Sequence, residues 1–165
     1  MYADYAYYSA LYGDDAATEL EFNLLSWDAC RKMDVATTGF DGVCKLRNVM
    51  PTDEYAVECI KRCACKLIQT AYEIKKAEES AKMYQGYTVR EDGSLQGRVV
   101  SSVSAGNESI SYSTSANSAA TTLTDKAMAS QSIREQVERD IITESLSGIY
   151  DANGVPLLYM GPYPR

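Results

Sequence analysis

The stretch from Thr52 to Glu79 constrains the fold most, because it predicts one long helix with a single apolar stripe. Its apolar residues recur every three or four positions, and this spacing places them along one side of an α-helix: Val57, Ile60, Ala64, Leu67, Ala71 and Ile74. The opposite side carries charged residues and Gln69, so we expect it to face water. Thr52 is predicted to cap the helix. The stripe must be buried against other helices, and a mainly helical protein is therefore expected.

Three further helices are predicted from the same kind of spacing. The first passes through Tyr5, Tyr8 and Tyr12 and ends at Gly13, and the second runs from about Asp15 to Val35. The face of the second helix is broad enough to meet more than one element: Leu20, Phe22, Leu24, Leu25, Trp27, Ala29 and Met33. Val43 to Met50 is predicted as a connector. The last helix starts near Thr124 or Asp125 and ends before Gly148.

Between the long helix and the last one, Gly86 to Ala120 is rich in small polar residues and has no helical period. The turn sequence at 91–93 lies between two alternating segments, which favours an extended hairpin. The serine-rich residues 113–122 are either a flexible linker, a loop ordered by neighbours, or a plain spacer. Beyond 151, a turn leads into an apolar, proline-punctuated tail. We expect this tail to pack on its own domain or to enter a groove on another protein.

The predicted fold class is thus mainly α: a small helical bundle with an extended β-hairpin or loop arm before the C-terminal helix, plus an extended C-terminal tail. At 165 residues we expect a single domain. The helical core comprises residues 1–83 and 123–150, the arm residues 86–121, and the tail residues 151–165.

The charge balance disfavours broad binding to nucleic acid. The net charge is −7, whereas phosphate contacts need a basic face. A wall past which DNA slides without sticking would instead be acidic or neutral. The first residues do not read as a secretory signal, and no apolar stretch approaches the roughly 18 residues of a membrane span. We therefore expect a protein made in the cytoplasm, without membrane contact.

Few residues suggest catalysis or a metal site. The chain has 5 cysteines and no histidine, so the commonest general base and zinc ligand is missing. Cys59 and Cys63 lie one helical turn apart and could share a metal, but buried core residues are the stronger interpretation. The adjacent pairs Asp14–Asp15 and Glu78–Glu79 do not face one another on a helix. We predict neither an enzyme nor a cofactor.

The order of these parts resembles the head-to-tail connector, or adaptor, proteins of tailed bacteriophages. The similar features are the tyrosine-rich start at 4–13, the helix pair separated by Thr38-Gly39-Phe40, the long helix, the segment Ser109-Ile110-Ser111-Tyr112-Ser113, and the final helix followed by Gly154-Val155-Pro156-Leu157-Leu158-Tyr159. The resemblance spans nearly the whole chain. The sequence differs from the family pattern in an insertion at Gly86 to Val100 and in Met160, where similar proteins often have Arg.

The resemblance implies a non-enzymatic virion protein of the neck. It would form a ring of twelve copies beneath the portal, around the DNA channel, and connect the portal to a stopper or tail terminator protein. The tail would bind the portal, through Leu157, Leu158, Tyr159, Met160 and Tyr163. The arm would pair with an adjacent subunit, through Val99, Val103, Ile110 and Tyr112. Removing Val155 to Arg165 would leave a folded protein that no longer joins portals.

A second hypothesis needs no virion. A small soluble protein of the host cell could bind one partner through the tyrosine-rich start, as an interaction module or regulator. A stripe of tyrosines at helical spacing could form such a platform, but more often it anchors a helix to the core or to a neighbouring subunit.

Overall fold

The computed structural model of the chain describes residues 1–83, 85–89, 95–104, 109–113 and 130–164, and its side chains in 1–79 and 130–164. The described part is mainly helical, which confirms the predicted class. Helix α1 comprises Tyr5–Tyr12, α2 Glu19–Ala36, α3 Lys45–Asn48, α4 Glu54–Met83 and α5 Gln131–Leu146. Strand β1 comprises Gln85–Val89, β2 Leu95–Ser104 and β3 Ser109–Ser113.

The chain divides into two compact units. The first contains Met1–Glu73 and Ser132–Arg165, and the second contains Ile74–Gln131. The first unit holds a helical core built on α4, with α1, α2, α5 and the C-terminal segment contributing buried side chains. The prediction of a single domain is not tested by this division, because compact units can still fold cooperatively.

The middle of α4 is buried on several sides. Ile60, Ala64 and Leu67 of the predicted stripe are buried, and so are Cys63, Cys65 and Ile68 beside it. The prediction that Gln69 faces water was wrong, since this residue is only 7% exposed. Its amide oxygen accepts a hydrogen bond from the Tyr8 hydroxyl at 2.6 Å, and this bond offsets the cost of burying the amide. Helix α4 is therefore the central helix of the first unit.

The helix starts differ from the predicted ones because side chains cap them. Helix α2 begins at Glu19, four residues after the predicted Asp15, since Gly13–Asp15 forms a short 3-10 turn and Thr18 makes a capping box with Glu21. Helix α4 is capped by Asp53 rather than Thr52: the Asp53 carboxylate accepts a hydrogen bond from the Ala56 backbone N–H at 2.9 Å.

Helix α2 divides its apolar residues between two sides. Phe22, Ala29 and Met33 are buried in the core. Leu25 is half-buried against the core, and three other large apolar residues of the predicted face are exposed: Leu20, Leu24 and Trp27. The first unit therefore uses only one side of this helix.

The predicted connector at 43–50 contains a short helix, α3, with Lys45 and Leu46 buried. Helix α5 ends before Gly148, whose φ of 76° suits a residue without a Cβ, as predicted for the cap. Ile142, Leu146 and Ile149 are buried in the core. The predicted start at Thr124 or Asp125 lies outside the described residues.

The described strands belong to the second unit and form an antiparallel sheet in the order β1-β2-β3. Gln85 pairs with Val99 and Val89 with Leu95 across β1 and β2. Ser104 pairs with Ser109 across β2 and β3, and the register shifts between Val100 and Ser102. Within this sheet β1 and β3 each have one unpaired edge. The predicted turn at 91–93 and the serine-rich residues 114–122 lie outside the described residues.

Candidate functional site

The C-terminal segment folds back on the first unit through a tight turn at Asp151. The Asp151 backbone N–H donates to the Val155 carbonyl at 2.9 Å, and the Leu157 N–H donates to the Ile149 carbonyl at 2.9 Å. The buried Asp151 carboxylate accepts hydrogen bonds from the backbone N–H groups of Asn153 and Val155, each at 2.9 Å. These bonds satisfy backbone donors that an extended tail would leave to water.

The end of this segment is held by the loop between α2 and α3. The Phe40 N–H donates to the Met160 carbonyl at 3.0 Å. The Tyr163 N–H donates to the Asp41 carboxylate at 2.7 Å, and this bond lowers the pKa of Asp41. The Tyr163 hydroxyl donates to the Asp151 carboxylate at 2.7 Å, and this bond raises the pKa of Tyr163.

A buried lysine completes the attachment. The Lys45 ammonium donates to the Tyr159 carbonyl at 2.5 Å and to the Thr37 carbonyl at 3.1 Å. Lys45 is 1% exposed, so its charge is stabilised by carbonyl dipoles rather than by water. The sequence did not indicate that Lys45 is buried, because a lone lysine in a short segment is normally solvated.

Two glycines allow the segment and the loop to approach each other closely. A Cβ built on Gly39 would lie 2.8 Å from the Gly161 carbonyl oxygen, closer than real side chains approach backbone. A Cβ on Gly161 would collide with the Tyr159 ring. Gly39 therefore needs glycine for steric reasons, whereas a side chain at 161 would require only that the Tyr159 ring move.

This attachment presents exposed apolar side chains beside a groove. Phe40 is 86% exposed and Met160 45% exposed, and Val35 and Tyr159 are exposed as well. We call these four residues the tail face. The groove, of about 560 Å³, lies between α2 and α5 and is lined in part by Val35, Ile142 and Met160. The Lys32–Glu138 ion pair, 2.6 Å long, crosses between the same two helices. A set of apolar side chains held outward by a fixed backbone is typical of a protein-binding surface.

The predicted partner-binding residues are divided by this arrangement. Tyr159 and Met160 are exposed on the tail face, whereas Leu158 and Tyr163 are half-buried. Leu157 is 0% exposed and belongs to the core, so the assignment of Leu157 to a partner contact was wrong. The pattern did not separate it from its neighbours, because the turn at 156–159 and the Leu157–Ile149 backbone hydrogen bond decide which side chain faces the core.

The tail was also predicted as extended and removable. In the structure, the segment supplies buried Val155 and Leu157 to the first unit, so removal of Val155 to Arg165 would expose apolar core. The two exposed residues that complete the tail face, Val35 and Phe40, were missed. The signal available for Phe40 was its position in a glycine-bounded loop, where a large apolar residue has little core to join.

The four predicted arm residues lie in strands β2 and β3. Val103 pairs with Ile110, and Val100 pairs with Tyr112 across the two strands, while Val99 pairs with Ser113. These pairings concern the backbone within one chain. The role of Val99, Val103, Ile110 and Tyr112 in contacts between subunits stays a prediction.

The tyrosine-rich start packs onto the core instead of forming an open platform. Tyr8 is fully buried against Phe22, with ring centroids 5.0 Å apart, and its hydroxyl accepts a hydrogen bond from the Ala17 N–H at 3.0 Å. The Tyr7 hydroxyl donates to Glu58 at 2.5 Å, and the Tyr2 hydroxyl donates to Asp34. Burial raises the pKa of Tyr12 to about 12. The hydroxyls of Tyr2, Tyr7 and Tyr8 are thus used within the chain.

The cysteines and carboxylates form no metal site within the described residues. All five cysteines are free thiols, and burial raises the pKa of Cys63 to about 12 and that of Cys65 to about 11. Both thiols are therefore protonated and poorly nucleophilic near neutral pH.

Comparisons with protein families, curated proteins and solved structures find no match to this chain. Among the described residues, none of the helices has the length and apolar character that crossing a bilayer requires.

Proposed function

We propose that this chain is a structural virion protein, a head-to-tail adaptor of a tailed bacteriophage. In this proposal it forms a ring beneath the portal and joins the portal to the next neck or tail protein. The ring would contain twelve copies, as the resemblance in the order of sequence features implies. The subunit would be made in the host cytoplasm and end in the virion neck.

The tail face is the observation that carries this proposal. An adaptor must present apolar anchors to the portal in a fixed position, because ordering a flexible segment on binding weakens the contact. Phe40 and Met160 are linked by a backbone hydrogen bond at 3.0 Å and remain exposed. We assign Tyr159 and Met160, together with Val35 and Phe40, to the portal contact. Half-buried Leu158 packs against the core, and the Tyr163 hydroxyl donates to Asp151; both contacts hold the segment that carries Tyr159 and Met160.

The strands support the proposed contact between adjacent subunits of the ring. An antiparallel sheet of three strands leaves edges that can pair with another chain. In the proposed ring, the segment with Val99, Val103, Ile110 and Tyr112 acts as an arm that pairs with the adjacent subunit. The stopper or tail terminator would bind on the side of the ring away from the portal.

The net charge of −7 fits a channel through which DNA passes without specific binding. Negative side chains repel the phosphates, so the DNA does not adhere to the wall. The alternative, a small regulator of the host cell that binds through the tyrosine-rich start, is less well supported. The hydroxyls of Tyr2, Tyr7 and Tyr8 are already bonded within the chain, and Tyr8 is inaccessible.

The test uses charge on the tail face. Met160→Asp and Phe40→Asp should fold with the unfolding temperature of the wild type, because both side chains are exposed. Both should be missing from portal-containing particles when each replaces the wild type during phage assembly. Leu11→Asp, an equally polar change at a leucine of α1 that is 40% exposed, is the matched control and should be incorporated.

Averaged electron micrographs of wild-type necks should show a ring of this protein beneath the portal. The proposal fails if the wild type is absent from necks. It also fails if both tail-face variants are incorporated as efficiently as the control.

A further inference from the structure

One side of α2 forms the wall of a cleft in the first unit, with a volume of about 560 Å³. Six residues of α2 line this cleft, and they recur every three or four positions: Asn23, Ser26, Trp27, Cys30, Arg31 and Asp34. At 100° per residue these positions lie within about 140° of the helix circumference, so they form one continuous wall. Tyr2 of the N-terminal segment also lines the cleft, as do Leu46 and Arg47 of α3. We call it the arginine cleft.

The buried carboxylate in this cleft already has its partners. Asp34 is 8% exposed. Its Oδ2 atom accepts a hydrogen bond from Arg47 Nε at 2.7 Å and lies 2.5 Å from Arg47 Nη2, and its Oδ1 atom accepts from the Tyr2 hydroxyl. Burial and the bond to Asp34 raise the pKa of Tyr2, so this hydroxyl remains a donor at neutral pH. The Asp34 carboxylate is therefore neutralised by Arg47 and needs no second cation.

Two guanidinium groups that line the cleft have donors to spare. Arg47 binds Asp34 through Nε and Nη2, which leaves Nη1 for another acceptor, and its side chain is 68% exposed. The Arg31 guanidinium forms no ion pair with any described carboxylate. It lies 5.7 Å from the centre of the Trp27 ring, which holds the cation without using its N–H groups. Both arginines can therefore donate to a further anion.

The charge of the cleft is opposite to that of the whole chain. Its charged side chains are two guanidinium groups and one carboxylate, whereas the chain has 16 basic and 23 acidic residues. A guanidinium group matches the two oxygens of a carboxylate with paired N–H groups, and such charge-assisted bonds are the strong ones. The cleft is therefore complementary to an acidic side chain.

The shape of the cleft suits an extended peptide segment better than a free small molecule. Pockets for small ligands enclose about 70–90% of the ligand surface, whereas this cleft is open. Trp27 is 65% exposed, and Arg31 is exposed as well. At a rise of 1.5 Å per residue, the wall from Asn23 to Asp34 is about 16 Å long. About five residues of an extended chain have the same length.

We propose that the arginine cleft binds an extended acidic segment of a partner protein, with one Asp or Glu side chain between Arg31 and Arg47 and an apolar side chain against Trp27. Clustered arginines recognise acidic motifs, and tryptophan and arginine are enriched at the centres of interfaces. Asp34 and the Trp27 ring already hold the two guanidinium groups, so binding orders few side chains. The contact is separate from the tail face and does not require the adaptor function.

The first experiment selects peptides on the purified whole chain. A ribosome-displayed library of random pentapeptides is selected on the wild type, on Arg31→Gln and on Arg62→Gln. Arg62 is the matched control, because its side chain is also exposed and lies outside the cleft, and both variants lose one positive charge. The wild type and Arg62→Gln should enrich Asp or Glu at one position by about tenfold, beside an apolar residue. Arg31→Gln should lose most of this enrichment, since a charge-assisted bond contributes about that factor.

The second experiment measures the fluorescence of Trp27, the one tryptophan of the chain. The most enriched peptide that contains no tryptophan should shift the emission to shorter wavelength, because an apolar side chain then covers the indole. The same peptide with its acid replaced by the amide should bind about tenfold more weakly. Acetate and inorganic phosphate at the same concentration should leave the emission unchanged.

Three results would refute the proposed contact. The first is a wild-type selection without enrichment of acidic residues. The second is selection of the same peptides by Arg31→Gln and Arg62→Gln. The third is a shift with acetate or phosphate as large as with the peptide, which would define a site for free anions. None of these results bears on the adaptor function, because the tail-face variants are scored in phage particles.

Discussion

Shortening Leu157 to alanine tests whether the C-terminal segment is part of the folded core. The side chain is 0% exposed and lies among core residues. Leu→Ala at such a site costs about 2–5 kcal/mol, from lost burial and from the cavity left behind. We expect a loss of about 3 kcal/mol in the free energy of unfolding, because the neighbouring chain is fixed by the Leu157–Ile149 backbone hydrogen bond of 2.9 Å and collapses little.

The assay is urea unfolding followed by far-UV circular dichroism. With a slope of about 1–3 kcal/mol per molar urea, the midpoint should fall by about 1–3 M at unchanged slope. Met160→Ala, three residues away and exposed, is the control and should change the free energy by less than about 0.5 kcal/mol. If the two variants lose equal stability, the segment is not part of the core and the assignment of Leu157 is incorrect.

Three further predictions concern the attachment of the segment and the buried thiols. Gly39→Ala should destabilise the protein by about 1–3 kcal/mol, because the new Cβ meets the Gly161 carbonyl; a stabilisation of about 0.5 kcal/mol in urea unfolding would mean that the loop has room. The lowered pKa of Asp41 stabilises the fold above the ordinary aspartate pKa of about 4, and this contribution is lost as pH falls through the folded-state pKa. The amide NMR shift of Tyr163 should therefore titrate below pH 4, and Asp41→Asn should abolish the titration; a midpoint at or above 4 would contradict the hydrogen bond. Cys63 and Cys65 should resist Ellman's reagent in the native protein at pH 8 and react on unfolding, since burial raises the pKa of both thiols; mass spectrometry that finds them modified first would show that this part of α4 is open.

Local patterns predicted the helices well because each depends on neighbours in sequence. The spacing of Tyr5, Tyr8 and Tyr12 and the glycine after them correctly located α1 and its end. The stripe of α4 was likewise right for Ile60, Ala64 and Leu67. Helix starts were less accurate, because a cap is decided by which side chain reaches a free N–H, as with Asp53 instead of Thr52.

Errors arose where distant residues decide burial. Gln69 was predicted to face water and Lys45 was not singled out, yet the Tyr8 hydroxyl and the Tyr159 carbonyl provide partners that make their burial tolerable. The sequence allowed the tail either to pack on its own domain or to enter a groove on another protein. Burial of Leu157 and hydrogen bonds to the loop between α2 and α3 decided for its own unit. No local pattern contains these pairings, since they join residues 61 to 122 positions apart.

The sequence by itself determined that this protein is mainly helical, acidic and centred on one long helix, because hydrophobic spacing and charge are properties of the chain alone. The tertiary structure alone decided which apolar residues remain on the surface. Leu157 and Leu24 have the same chemistry, but the first is covered by the core and the second is exposed. Exposure depends on what packs above a residue, and that is fixed only when the whole chain has folded.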